Sequence, residues 1–206
     1  WALESVLLIV GLGWLILTFR HWRLSDFSYG LIFVYLVLHV IGAHFTYSQV
    51  PGGNFIGRLF GTSRNSYDRV VHFLFGCLLF QPWRETVLLS MGVSTAQASP
   101  IAILIVGAIS AIYEILEWLA AEVVSPPDAM AYIGAQGDFF DSEKDMACAL
   151  LGALLALGLL LGCRRVVEPP GPCRAKISLE HGRCFIRLGH GKRPGGWQLG
   201  RQVCFE

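Results

Sequence analysis

The sequence predicts an all-α, polytopic transmembrane helix bundle, and three observations predict it. Hydrophobic residues make up 54% of the 206 residues and charged residues only 15%, with a mean hydropathy of +0.54. Soluble domains carry about 25% charged residues. The apolar residues fall in a handful of long runs, and the acidic residues and histidines gather at one end of those runs.

The runs justify five helices in order. The first covers residues 2–19 and is closed by Arg20-His21-Trp22-Arg23. The second covers 29–45 and contains His39 and His44. The third starts at Val70 and continues to about Met91, with Arg84 and Glu85 near its far end. The fourth covers 101–121. The fifth covers 146–162 and is closed by Arg164-Arg165. About 20 apolar residues cross the roughly 30 Å hydrocarbon core, so the second and fifth runs need polar flanking residues as interfacial extensions. Val70 to Arg84 is only about 21 Å of helix. That puts Arg84 and Glu85 near the opposite interface, as anchors, with Arg84 snorkelling. Trp83 and Trp118 read as aromatic-belt residues.

Charge sets the domain organisation and orientation. Residues 164–206 hold nine Lys/Arg and three Glu, a tail of about +6, while the rest of the chain is about −5. The expected division is a bundle over 1–163 and a basic, cytoplasmic, poorly ordered tail over 164–206. Within the tail, residues 176–188 form a weak hairpin pattern around His181-Gly182. Arg20, Arg23, Arg164 and Arg165 fall on one side in a five-helix count, which the positive-inside rule makes cytoplasmic. The loops 46–69 and 122–144 are then outside, folded over the bundle mouth. Arg58, Arg64 and Arg69 oppose this, and an even helix count with the reverse orientation is the alternative. The basic tail lacks interleaved aromatics, so it does not argue for nucleic acid. The expected partner is the lipid bilayer. Six widely spaced cysteines, with no C-x-x-C pair, make neither a disulfide framework nor a zinc site.

Helical spacing gathers the polar residues into stripes. On the third helix these are Asn65, Asp68, His72 and Gly76. On the fourth they are Gly107, Ser110, Glu114 and Glu117. On the fifth they are Asp138, Asp141, Asp145, Cys148 and Gly152. Small residues let helices approach closely, so Gly76, Gly107 and Gly152 can pack while the charged ends line an outward cup. The candidate catalytic residues are Asp68, His72, Glu114, Glu117, Asp141 and Asp145. The candidate substrate-binding residues are His44, Tyr47, Asn65 and Asp138. A divalent metal is one possible cofactor, with His72, Glu114, Glu117 and Asp145 as ligands. His39 reads as a hydrogen-bonded core histidine.

Three functions fit such a cup. It can be an enzyme site, metal-assisted or acid–base, acting on an envelope or lipid-linked substrate. It can be a cation or proton carrier. It can be a structural clasp in which Arg58, Arg64, Arg69 or Lys144 caps every acid. No P-loop, G-x-S-x-G elbow or H-E-x-x-H motif is present in the sequence.

These residues carry a resemblance. Residues 42–51 (GAHFTYSQVP), 64–69 (RNSYDR) with His72-Phe73, 111–118 (AIYEILEW) and 134–138 (GAQGD), then Asp141 and Asp145-Met146, resemble the YjdF-like family of bacterial inner-membrane proteins. That resemblance covers about residues 1–163 and implies a multi-pass inner-membrane protein without an assigned reaction. It also implies a sixth helix preceding Trp1 in the complete protein. The tail beyond Arg165 departs from the family and reads as an extension or a translated frameshift. More loosely, Asp68, His72, Glu114 or Glu117, Asp145 and Gly152 are similar to the VanZ-like pattern, linked to glycopeptide-antibiotic tolerance. Ala149 departs from the polar residue that pattern implies.

Overall fold

The structure is a computed structural model and describes residues 2–59, 61–123, 135–162, 174–180, 183–189 and 203–204. Residues 1–164 and 165–206 form two units, each treated by itself. The turn Pro126-Pro127, Asp128, the linker Pro169-Pro170-Gly171-Pro172 and the hairpin centre His181-Gly182 lie outside the described residues.

In the first unit every described secondary-structure element is a helix. Its described helices are α1 (Ala2–Thr18), α2 (Asp26–His44), α3 (Gly53–Leu59), α4 (Tyr67–Met91), α5 (Thr95–Val123) and α6 (Asp141–Gly162). Five correspond to the apolar runs. The extra one, α3, is a short helix in the loop 46–69, where no apolar periodicity announces it. The α5 helix starts earlier than its run because Ser94-x-x-Gln97 forms a capping box. The Ser94 N–H donates to Gln97 Oε1 (3.1 Å) and the Gln97 N–H to Ser94 Oγ (3.4 Å).

Three helices, α2, α5 and α6, are long and apolar enough to cross a membrane. The 25 residues of α4 are long enough too, but include Asp68, Arg69, Arg84 and Glu85. Polarity is distributed as a lipid solvent demands. Ile16 (74% exposed), Leu17 (77%) and Leu104 (71%) face outward, whereas Glu85 (2%), Ser110 (2%) and Asp145 (2%) are buried.

The hub is α4, which packs against α2, α5 and α6, while α1 leans lightly on α2. The contact between α4 and α6 is backbone against backbone. A Cβ at Gly76 would collide with the Ala149 carbonyl oxygen, and one at Gly152 with the Phe73 carbonyl oxygen. Gly107 of α5 is looser, its Cβ position lying 3.0 Å from a Leu150 methyl. Around this contact Phe75, Phe80, Ala102, Val106, Ala149 and Ala153 form the apolar core. Cys77 and Cys148 are free thiols.

The placement of Arg84 and Glu85 differs from the interfacial one expected. Both are buried, at 6% and 2% exposure. The reason is the positive end of α2, whose first N–H groups lack helical partners. The Ser25 N–H (2.8 Å), Ser25 hydroxyl (2.9 Å) and Ser28 hydroxyl (2.5 Å) all donate to the Glu85 carboxylate. The Arg84 Nε–H donates to the Ser99 hydroxyl of α5 at 3.1 Å. Arg84 is therefore drawn inward rather than snorkelling.

In the second unit three antiparallel strands pair in the order β1 (Arg174–Glu180), β2 (Arg183–Gly189), β3 (Val203–Cys204). Ile177 faces Ile186 in the first pairing, and Phe185 faces Cys204 in the second.

Candidate functional site

The polar stripes of α4, α5 and α6 meet at one end of the bundle, and the loops 45–66 and 135–140 close over them. Gln136, in left-handed backbone at φ 48°, ties those loops together. Its Oε1 accepts the Asn65 N–H (2.8 Å) and its Nε2 donates to the Asn65 carbonyl (3.0 Å). Asn65 Nδ2 donates to the Val50 carbonyl (2.8 Å), and its Oδ1 accepts the Tyr67 N–H (3.1 Å). Asn65 is thus used up by the chain itself, as a loop knot.

Two arginines clasp part of the acid cluster. Arg64 donates to Asp141 in a close, buried pair. Arg69 Nη2 reaches Asp138 (2.5 Å) and Asp141 (3.0 Å), and its Nε lies 3.8 Å from Asp145. Lys144 Nζ sits on Asp138 at 2.6 Å. The hydrogen bonds from Lys144 and then Arg69 hold the Asp138 carboxyl well below the usual carboxylate range. Asp138 is a clasp residue in this geometry, and so is Asp141.

Beneath the clasp lies a second group. His72 Nε2 is 3.3 Å from Glu114 Oε1 and 3.6 Å from Asp68 Oδ1, and its Nδ1 is 3.4 Å from the Ser110 hydroxyl. All four residues are buried. The i, i+4 spacing brings Asp68 and His72 together on α4, and the close approach of the helices delivers Glu114 and Ser110 from α5. Glu117 is buried one turn further along, hydrogen-bonded by the Tyr113 hydroxyl. Asp68, Asp141 and Asp145 each offer an oxygen within 4.8 Å of the others, a grouping that can hold a cation. Only Asp145 belongs both to this group and to the four ligands expected from sequence, and the arginines already supply positive charge to Asp141 and Asp145.

Tyr47 arrives by a strained route. Thr46 and Tyr47 both have left-handed backbone, at φ 49° and 50°, which costs on the order of 1–3 kcal/mol each for such residues. The turn folds the Tyr47 ring over Gly42, where a Cβ would lie 2.5 Å from it. There the Tyr47 hydroxyl and His39 Nδ1 are hydrogen-bonded at 2.5 Å, so His39 is the satisfied core histidine expected. His44 is not brought to the site. It is exposed, with its ring edge-on to Phe45.

A cavity of about 420 Å³ opens from this group and runs down α4 between α1, α2 and α5. Asp68, His72, Ser110 and Tyr113 line it at the site, and Trp14, Phe75, Leu79 and Trp83 line it further down. Sequence reading missed Tyr35 and Tyr113 here. The spacing of Tyr113 to Glu117 and Tyr35 to His39 was available as a signal. A separate polar cleft of about 600 Å³ lies over the clasp, between Thr62, Arg64, Arg69, Gln136 and Lys144.

Fold and site together define a multi-pass membrane helix bundle with an ionisable core at one end. The chain belongs to the family described as "Predicted membrane protein (DUF2238)", whose model matches residues 1–166. It is 35% identical over 169 residues to "Inner membrane protein YjdF" of Escherichia coli (strain K12), covering 81% of this chain and 80% of that protein. No solved structure matches. The chain is accordingly a multi-pass inner-membrane protein of the family that its motifs resemble.

Proposed function

We propose that this protein is an acid–base site in the outer part of the inner membrane, acting on a lipid-linked or envelope substrate. The observation that supports it is a division of labour among the buried acids. Arg64, Arg69 and Lys144 engage Asp138 and Asp141 and approach Asp145. Among the described residues Asp68 and Glu114 pair instead with His72, at the mouth of the cavity, and Arg64 and Arg69 act on Asp68 only at longer range. An imidazole between two carboxyls can take a proton from one reacting atom and return it to another. Ser110, on the opposite ring nitrogen, would fix the tautomer. Glu117 and Asp145 would set the local field, Tyr47 would shape the mouth, and Asn65 and Asp138 would hold the lid. The looser VanZ-like likeness rests on the same few residues.

Orientation belongs to the same reading. Arg20 and Arg23 after α1 and Arg164 and Arg165 after α6 support a cytoplasmic position for those ends and the 164–206 tail by the positive-inside rule. The Asp68–His72–Glu114 group then faces outward.

The test is complementation of a strain lacking the protein, with purified variants assayed for folding and metal content. Glu114→Gln and His72→Ala are expected to stay folded and lose at least about a hundredfold in function, the lower end of the range for an acid–base group. Full complementation by both folded variants overturns the reading and leaves a clasp. Near-stoichiometric metal lost in either variant would replace the metal-free mechanism with a metal-assisted one.

A further inference from the structure

We infer that the cavity along α4 binds a single long-chain lipid whose polar end is a cationic ammonium group, with Asp68 as its counter-ion. The inference rests on the acid–base reading above and names the substrate class of that site. Three observations carry it.

The first is shape. The lining runs along α4 from Asp68 to Thr86, about 27 Å at the helical rise. That is nearly the roughly 30 Å thickness of the hydrocarbon core. A volume of about 420 Å³ spread over that length is a slot, the form of one hydrocarbon chain rather than of a compact solute. Beyond His72 its walls include Phe75, Leu79, Pro82, Trp83 and Ile109, with Leu36 of α2, and are apolar as far as Thr86 at the far end. Because α1 and α5 both line the slot while α1 packs only lightly, on α2 and through Trp14 against Trp83 of α4, a chain can enter from the bilayer side.

The second is charge. No Lys or Arg lines the cavity, and the ionisable groups at its polar end are Asp68, His72 and His39. Behind them stand Glu114, Glu117 and Asp145, and further off, on the clasp side, Arg64 and Arg69. At the lining itself an anionic end would come against Asp68, with no Lys or Arg there to receive it, whereas a cation would meet attraction.

The third is an unfinished partner. The Asp68 side chain is nine-tenths buried and lines the slot; among the described residues its nearest ion-pair partner is His72 at 3.6 Å, beyond hydrogen-bond length, and Arg64 and Arg69 act on it only at longer range. Tyr35 and Tyr113 stand close enough to Asp68 and to each other to interact electrostatically, Tyr47 stands as close to Tyr113, and all three line the slot. Aromatic faces beside a carboxylate form the arrangement that recognises ammonium groups.

The test uses the full chain in maltoside micelles with three photoactivatable probes of one alkyl chain, ended as trimethylammonium, alcohol or carboxylate. The expected result is saturable labelling of slot-lining residues by the ammonium probe, at about tenfold higher affinity than the alcohol, the size of one desolvated charge contact. The carboxylate probe should bind weakest. Asp68→Asn should remove the ammonium preference and leave the alcohol within about twofold, which also shows the variant to be folded. Ile109→Trp, which fills the slot, should weaken all three.

Equal binding of the three ends, or an ammonium preference that survives Asp68→Asn, overturns the cationic end. Displacement of the ammonium probe by equimolar Mg²⁺ or Mn²⁺ overturns it in favour of a metal ion. The absence of saturable labelling in folded protein overturns the slot as a chain site. If the ammonium probe binds as expected while His72→Ala and Glu114→Gln complement fully, the binding site stands and the acid–base reading falls. If those variants fail to complement and no probe binds, the reverse holds.

Discussion

At the scale of single residues, neighbouring carboxylates in this bundle have different work, and their partners decide which. Asp138 has Lys144 and Arg69, and its carboxyl is held far into the ionised form. A depressed folded-state value means that Asp138 stabilises the fold above the ordinary carboxylate range. That contribution is lost as pH falls through and below the range. Thermal melts of the wild type in detergent should therefore show a loss of Tm on acidification from about pH 5. Asp138→Asn should start from a lower Tm and show a shallower loss over the same window. An identical slope in the variant would remove Asp138 from the clasp. Glu85 makes the same point at the other end of α4. Its carboxylate reads as an interfacial charge from sequence, because nothing in the local pattern announces that Ser25 and Ser28 will point three donors at it.

At the scale of elements, the bundle is organised by the contact between α4 and α6. Gly76 and Gly152 let the two backbones touch, each occupying the space where the other helix's carbonyl would meet a Cβ. Gly76→Ala or Gly152→Ala should cost about 1–3 kcal/mol, the usual range for overpacking, seen as a lower Tm. Gly107→Ala should cost less, because a Leu150 methyl can rotate away. Equal effects at all three positions would show that backbone contact is not what matters. These glycines were legible as small residues at helical spacing. The left-handed turn at Thr46-Tyr47 was not, because neither residue type favours that backbone. Its consequence, the Tyr47–His39 hydrogen bond, was hidden for the same reason.

At the scale of the whole molecule, the helices were legible because hydrophobic runs bounded by Arg and Pro–Gly turns have one economical reading in lipid. Which faces the helices present to each other was legible only in part. The i, i+3 and i+4 rule grouped Asp68 with His72, and Ser110 with Glu114, but it does not rank partners across helices. Arg64 and Arg69 could therefore be named only among four possible caps, and nothing in the pattern said which acids each would reach. The orientation proposed from the positive flanks makes a direct prediction. A reporter that fluoresces only in the cytoplasm, fused after Glu206, should be bright, and one that folds only outside should be inactive. The opposite pattern would turn the Asp68–His72–Glu114 group toward the cytoplasm and change which lipids can reach it.

The glycine contact has a consequence for measurement along the helices. Asp68 lies eight residues before Gly76, and Asp145 seven before Gly152, about 12 Å and 10.5 Å of rise. The touching backbones thus act as a common datum from which both acids are set at nearly equal height. A slip of one residue would displace one acid by about 1.5 Å and swing it around its helix by about a quarter turn. Chemistry that needs its groups placed to within about half an ångström is gauged here from a point two turns below, where no charged group is present.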